Sequence, residues 1–286
     1  MNKKNGTRFS YFPGCSLATT AKENEQSLQY VFKKFGIELK ELEDWNCCGS
    51  SSAHSINSDL ASKLISRNLS LAPQGIPLMV ACPNCLLRLS QENLHLKNDE
   101  KARERFIRNW GKPPDTELEI IHFFDLFERM DVSRKIKTLS EKPAGLKVAP
   151  YYGCMLARPP EMRHEKNYYG LMEKILSSMG AEPVKWGHYA QCCGSYLSAV
   201  RPDAITSKVD AIIQDAVDAG ADCLVTACAM CHLNLEIRCS LKHPIPILHF
   251  SELLSMALGA KKRLGGWFSK HLINPRPLLR SKGLYE

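Results

Sequence analysis

Leu78-Met79-Val80-Ala81-Cys82-Pro83-Asn84-Cys85 and Leu224-Val225-Thr226-Ala227-Cys228-Ala229-Met230-Cys231 decide the fold of this 286-residue chain. Each is a short apolar run leading into a Cys-x-x-Cys pair, the pattern of a buried strand that feeds a turn and then a helix. Working back from each, a Cys-Cys-Gly turn comes first and a lone cysteine before it. One set is Cys15, Cys47-Cys48-Gly49 and Cys82 with Cys85; the other is Cys154, Cys192-Cys193-Gly194 and Cys228 with Cys231. Ten of the twelve cysteines belong to this scheme. Cys47 and Cys192 are 145 residues apart, as are Gly49 and Gly194, while Cys82–Cys228 and Cys85–Cys231 are offset by 146. Cys15 and Cys154 are offset by 139, so the second copy is six residues longer between its first two elements. A shift this constant marks an internal duplication.

Both copies read as the same alternation of elements. In the second, a short strand ends at Cys154 and a helix follows over residues 168–179, stopped by Gly180. An extended piece over 183–186 leads to the Cys-Cys-Gly turn. Ile205, Val209, Ile212, Ile213 and Ala216 then share one face of a helix over 203–219, and the strand 224–226 runs into Cys228. The first copy repeats this with helices around 26–35 and 60–71 and the strand 78–80. Strands alternating with helices predict α/β halves with parallel sheets, and in such sheets sites gather at the carboxyl ends of the strands. Cys15, Cys82, Cys154 and Cys228 are all expected there. The linker-like composition of residues 139–145 places a boundary near 142, giving domains 1–142 and 143–259 and an extension 260–286.

With 44% hydrophobic residues, each half can bury a core of its own. The polar N-terminus lacks a signal-peptide apolar stretch, and no apolar run approaches the roughly 18 residues of a membrane-spanning helix. A cytoplasmic protein is expected, where thiols stay reduced, so clustered cysteines point to metal or redox chemistry rather than to disulfides. Of the net charge of +8, residues 260–286 carry +6, from seven Lys/Arg against Glu286. The nearly neutral body argues against nucleic-acid binding. The basic extension reads either as a solvated segment or as an arm docking on an acidic partner, with Trp267, Phe268, Leu272, Ile273, Leu278 and Leu279 as apolar anchors.

Five thiols per copy is one more than a tetrahedral zinc or an ordinary four-iron cubane uses. A Cys-x-x-Cys pair converges on one metal or cluster, whereas the adjacent thiols of Cys-Cys diverge and suit two irons of one larger cluster. Gly49 and Gly194 would allow the backbone to approach closely, at positive φ. Zinc in both copies, or zinc or a smaller cluster in one, are the alternatives. The tight four-cysteine run of bacterial ferredoxins is absent, so electrons are expected from a partner.

This duplicated arrangement resembles the heterodisulfide reductase B-type family, the duplicated cysteine-rich CCG domain, over residues 8–258. The resemblance implies two similar α/β halves related by a pseudo-twofold, each with a noncubane [4Fe-4S] cluster at its strand carboxyl ends. Cys15, Cys47, Cys48, Cys82 and Cys85 would bind one cluster; Cys154, Cys192, Cys193, Cys228 and Cys231 would bind the other. It also implies reductive cleavage of a disulfide, or its oxidative formation, between the clusters. Expected partners are an iron–sulfur C-type subunit and a flavin-containing A-type subunit. Cys-Ala-Met-Cys lacks the proline usual at the second place of that motif. The basic extension resembles those of heterodisulfide reductase-like proteins of sulfur-oxidising bacteria, which would make the substrate a sulfane or a thiol on a lipoate-binding carrier. A non-catalytic electron-transfer or zinc-stabilised scaffold subunit is the rival reading, and a related family serving lactate and glycolate oxidation or membrane quinone pathways is a third.

His232, directly after Cys231, and His54, just after the first Cys-Cys-Gly, are candidate proton donors to a leaving thiolate, with His188 a weaker one. Cys223 and Cys239 lack counterparts in the other copy and read as core fillers. His122, Phe123, Phe124, Leu126 and Phe127 read as a buried helix, and residues 100–108 as a solvated mixed-charge helix face.

Overall fold

A computed structural model describes residues 8–50, 53–137, 143–157 and 168–286, without the side chain of His54. The first half forms strands β1 (Arg8–Phe12), β2 (Glu38–Glu41), β3 (Leu78–Val80) and β4 (Ile120–His122). The second forms β5 (Lys147–Tyr151), β6 (Glu182–Pro183), β7 (Cys223–Thr226) and β8 (Ile247–His249). Each set makes one four-stranded sheet, in the orders β2-β1-β3-β4 and β6-β5-β7-β8. Every pairing is parallel, with Ser10 opposite Leu78 in one half and Val148 opposite Cys223 in the other. β3 and β7 lie inside their sheets and are buried throughout, because the helices that carry the chain between parallel strands cover both faces. The protein is thus α/β with two similar halves, as the alternation of elements predicts.

Helices lie close to their expected positions, at Lys22–Lys34, Ser58–Leu71, Leu171–Ser178 and Pro202–Asp218. His122 differs from expectation. It ends β4 and caps the helix Phe123–Arg129, its backbone N–H donating to Asp125 Oδ2 at 2.8 Å. His249 repeats this at the end of β8, donating from its backbone N–H to Glu252 Oε2 at 2.8 Å ahead of the helix Phe250–Ala257. Both are capping boxes, which satisfy orphan amides at a helix start.

Each half has a core on one side of its sheet, but a third and larger core joins the halves. There Leu28, Val31 and Phe32 of the helix Lys22–Lys34 meet Phe250, Leu253 and Leu254 of the helix Phe250–Ala257. Phe124 and Phe250 stack edge to face with centroids 5.0 Å apart. The same core corrects the reading of the extension as free or as an arm anchored elsewhere. Trp267, Phe268 and Leu279 are buried in it, and Trp267 Nε1 donates to Gln26 Oε1 at 3.0 Å. Burying such side chains within the chain removes more apolar surface from water than leaving them for an intermittent partner. Only Leu272 of the proposed anchors stands out, 64% exposed. The extension folds as two helices, Lys261–Phe268 and Arg276–Ser281, the second capped by Pro275 with Pro277 in its first turn.

Candidate metal centre

The ten motif cysteines fall into two groups of five. Cys15 begins a one-turn helix just after β1, and Cys154 lies in the one-turn helix after β5. Cys82 and Cys228 follow β3 and β7 as N-caps of the helices Pro83–Asn98 and Ala229–Arg238. Free N–H groups at a helix start favour a thiolate there. In the first half Cys47 Sγ is 3.6 Å from Cys15 Sγ, and Cys48 Sγ is 3.1 Å from Cys85 Sγ. Contacts of Cys47 with Cys48 and of Cys85 with Cys82 complete an unbroken series of five thiols. In the second half Cys193 Sγ is 3.4 Å from Cys231 Sγ, which also meets Cys228, and Cys154 meets Cys192. No disulfide joins any of the twelve cysteines.

Close approach requires glycine in the turns. Gly49 and Gly194 have φ of 68° and 78°, and the Gly49 and Gly194 N–H groups donate to Cys47 Sγ at 3.4 Å and Cys192 Sγ at 3.3 Å. A Cβ on Gly194 would lie 2.5 Å from Ile205 Cδ1, and one on Gly49 would lie 2.8 Å from Ala53 Cβ. The glycines before the lone cysteines act likewise, since a Cβ on Gly14 would lie 3.0 Å from Cys85 Sγ and one on Gly153 3.2 Å from Cys231 Sγ.

Protons are unequally held within each group. Hydrogen bonding with Cys15 and Cys48 holds Cys47 down at about 2. Cys15, its neighbour, is pushed up, and Cys48 rises to about 12 because Cys47 is beside it. Cys85 and Cys231 are raised by the thiols they touch and then by burial. Five thiols this close cannot all ionise on their own, because each thiolate disfavours the next. A multiply cationic metal core removes that conflict. The clustered donor set therefore fits iron–sulfur binding.

The groups open at corresponding corners. Cys15 and Cys47 are exposed and Cys154 and Cys192 half-buried, whereas Cys48, Cys82, Cys85, Cys193, Cys228 and Cys231 are buried. The halves meet reciprocally: the Cys15 helix packs on the helix Ala229–Arg238, and the Cys154 helix packs on Pro83–Asn98. A cavity of about 320 Å³ lies at this junction, lined by Cys154, Cys192, Cys193, Cys228 and Cys231 and by Ser50, Pro83 and Asn84 of the first half. Asn84 Nδ2 donates to Met230 Sδ at 3.5 Å, linking the interiors of the two Cys-x-x-Cys motifs. Sequence reasoning did not single out Asn84 and Met230, although their matched places in the repeat were a signal.

Of the histidines, His232 does not line this cavity. Its ring is buried, with Nδ1 2.8 Å from Asn24 Nδ2 and Nε2 3.7 Å from Glu236 Oε1. His188 Nδ1 is 2.8 Å from Asp215 Oδ2, which also accepts the His188 backbone N–H. The His54 side chain lies outside the described residues. Cys223 is buried, as a core filler should be, while Cys239 is half-buried.

Fold and site together define a duplicated α/β protein with a thiolate centre in each half. The chain belongs to the CCG cysteine-rich domain family, matching it twice, over residues 9–90 and 148–236. It is 30% identical over 270 residues to the 8-methylmenaquinol:fumarate reductase membrane anchor subunit of Wolinella succinogenes, covering 90% of this chain and 94% of that one. It is 26% identical over 269 residues to the B-type component of the ferredoxin/F(420)H(2)-dependent CoB-CoM heterodisulfide reductase of Methanosarcina acetivorans, covering 88% and 89%. The resemblance to the heterodisulfide reductase B-type family is thereby borne out. A crystal structure of a hypothetical protein from Helicobacter pylori superposes with a TM-score of 0.71 at 12% identity, over 95% of this chain. That match spans about half, 53%, of the Helicobacter chain and bears on the fold alone. No helix among the described residues is long and apolar enough to cross a membrane.

Proposed function

We propose that this protein is the catalytic subunit of a heterodisulfide reductase-like complex. Cys15, Cys47, Cys48, Cys82 and Cys85 hold one noncubane [4Fe-4S] cluster, and Cys154, Cys192, Cys193, Cys228 and Cys231 hold the other. The observation that carries this reading is the junction cavity, walled by thiols of one group and by the Cys-x-x-Cys interior of the other half. When bound, two such clusters would supply two electrons, which with two protons convert a disulfide to two thiols, or a sulfane to a thiol and hydrogen sulfide. The chain's own part is to bind, orient and shield. Gly49 and Gly194 N–H groups steady Cys47 and Cys192, Met155 and Met230 give the cavity apolar walls, and Ser195 and Tyr196 add polar groups. The half-exposed corner at Cys154 and Cys192 is where substrate reaches the centre from solvent.

In this reading the units are 1–142 and 143–259, the site is cytoplasmic, and electrons come from a C-type iron–sulfur subunit and a flavin-containing A-type subunit. A lipoate-bearing carrier is one candidate substrate. The basic groups of 260–286 remain for docking, although its aromatic side chains are internal.

A second reading is favoured by the Wolinella relative, whose name places it in a menaquinol:fumarate reductase. A quinone would then replace the disulfide as the two-electron partner. Exposed Tyr196 and Val200, beside the second Cys-Cys-Gly, would be its apolar approach.

Anaerobic purification with iron, sulfide and zinc analysis, followed by EPR on oxidised protein with thiol or with quinol, tests both. About eight irons per chain and a signal changed by thiol support the first reading. A change with quinol alone supports the second. Zinc without sulfide leaves only a scaffold.

A further inference from the structure

Close in sequence to the second thiol group, two side chains of one helix and a third from the extension converge in the core. His232 and Glu236 stand one helical turn apart on Ala229–Arg238, and His271 reaches them from the extension. All three are buried, and one ligand atom from each lies within 4.8 Å of the others. His271 Nδ1 is 3.0 Å from Glu236 Oε1, and His232 Nε2 is 3.7 Å from the same oxygen. Ligand atoms of a tetrahedral zinc with bonds of about 2.0–2.1 Å sit about 3.3 Å apart, which is the scale of this cluster.

We propose that His232 Nε2, Glu236 and His271 Nδ1 form a binding site for a divalent cation of the zinc class, distinct from the ten cysteines. Two independent features support it. First, His232 Nε2 is buried without any hydrogen-bond partner, aimed at the Glu236 carboxylate. Second, the outer groups are those that orient imidazole ligands. His271 Nε2 is 3.0 Å from Glu252 Oε1, and Glu252 is itself fixed by the His249 N–H. His232 Nδ1 faces the Asn24 amide, whose Oδ1 lacks a partner. Turning that amide over lets Oδ1 accept Nδ1–H and presents the Nε2 lone pair to a cation. Glu236 and Glu252 are both buried and held in place by backbone N–H groups, from Leu272 at 2.9 Å and His249 at 2.8 Å.

The ion would fasten the extension to the helix whose start carries Cys228 and Cys231. Its role is structural, and the inference does not depend on which substrate the thiol centres serve.

Zinc-edge X-ray absorption on the anaerobically purified, iron-containing full chain from zinc-replete cells is the test. The expected result is close to one zinc per chain, a nitrogen/oxygen shell near about 2.0 Å with imidazole outer scattering, and no sulfur shell near about 2.3 Å. Glu236→Gln and His271→Ala should each lose that zinc while iron is retained. If the variants fail to fold, the wild-type spectrum decides alone. Absence of zinc after dialysis against Zn²⁺, a sulfur shell, or unchanged nitrogen/oxygen-bound zinc in both folded variants would each overturn the proposal.

Discussion

Cys48 and Cys85, 37 residues apart in sequence, stand with their sulfurs 3.1 Å from each other. This contact closes the Cys-Cys-Gly turn onto the first turn of the helix after β3, and Cys193 with Cys231 repeats it in the second half. The grouping implies that each half loads independently. With one cluster in each half, as proposed, Cys48→Ser and Cys193→Ser should each lose roughly half of the iron, because a serine hydroxyl is a poor replacement for a cluster-binding thiolate. Cys223→Ser, outside both groups, should keep all of it. Iron and labile-sulfide analysis of the three variants checks this, and loss of all the iron from either ligand variant would contradict independent loading.

Gly194 tests how tightly the turn must fold. Gly194→Ala forces a Cβ to 2.5 Å from Ile205 Cδ1 at a φ of 78° and should cost about 3 kcal/mol or more. Gly220 has nearly the same φ, 77°, but open space around it, so Gly220→Ala should cost only about 1–2 kcal/mol. Denaturant midpoints of the two variants measure the clash separately from the backbone strain.

His249 should make the fold acid-sensitive. Burial, above all, depresses its imidazole from the ordinary value near 6.5 to about 3. The unfolded chain therefore takes up this proton as pH falls through 6.5, while the folded chain resists until about 3. Its contribution to stability is complete above about pH 6.5 and is lost progressively below, by about 2–3 kcal/mol at pH 4.5. His249→Asn, which can still cap the following helix, should flatten that part of the pH–stability curve measured by chemical denaturation.

Trp267 should prove to be part of the body rather than of a free arm. Its indole is 3% exposed and bonded to Gln26, so Trp267→Ala should destabilise the protein by about 3–5 kcal/mol. It should also open residues 260–286 to protease. Normal stability with only a lost partner interaction would restore the docking-arm reading.

Much of the site was legible because its signals are local. Leu78–Val80 reads as a strand from three consecutive apolar residues, and the five-cysteine spacing repeats with a nearly constant offset. His122 was misplaced inside a helix because its capping bond to Asp125 differs little, in residue pattern, from one more turn of that helix. His232 looked like a neighbour of the thiol centre because it follows Cys231. On a helix, successive side chains point about 100° apart, and its ring turns to Asn24 and Glu236 instead.

By itself the sequence determined the duplication, the parallel α/β order of each half, and which cysteines belong together, since periodicity, turn chemistry and spacing act over a few residues. Tertiary structure alone decided that the halves share one core, that Trp267 and Phe268 fold back into it, and that His271 meets Glu236 35 residues before it. Those contacts depend on where packed helices bring distant chain segments, and no local pattern carries that information.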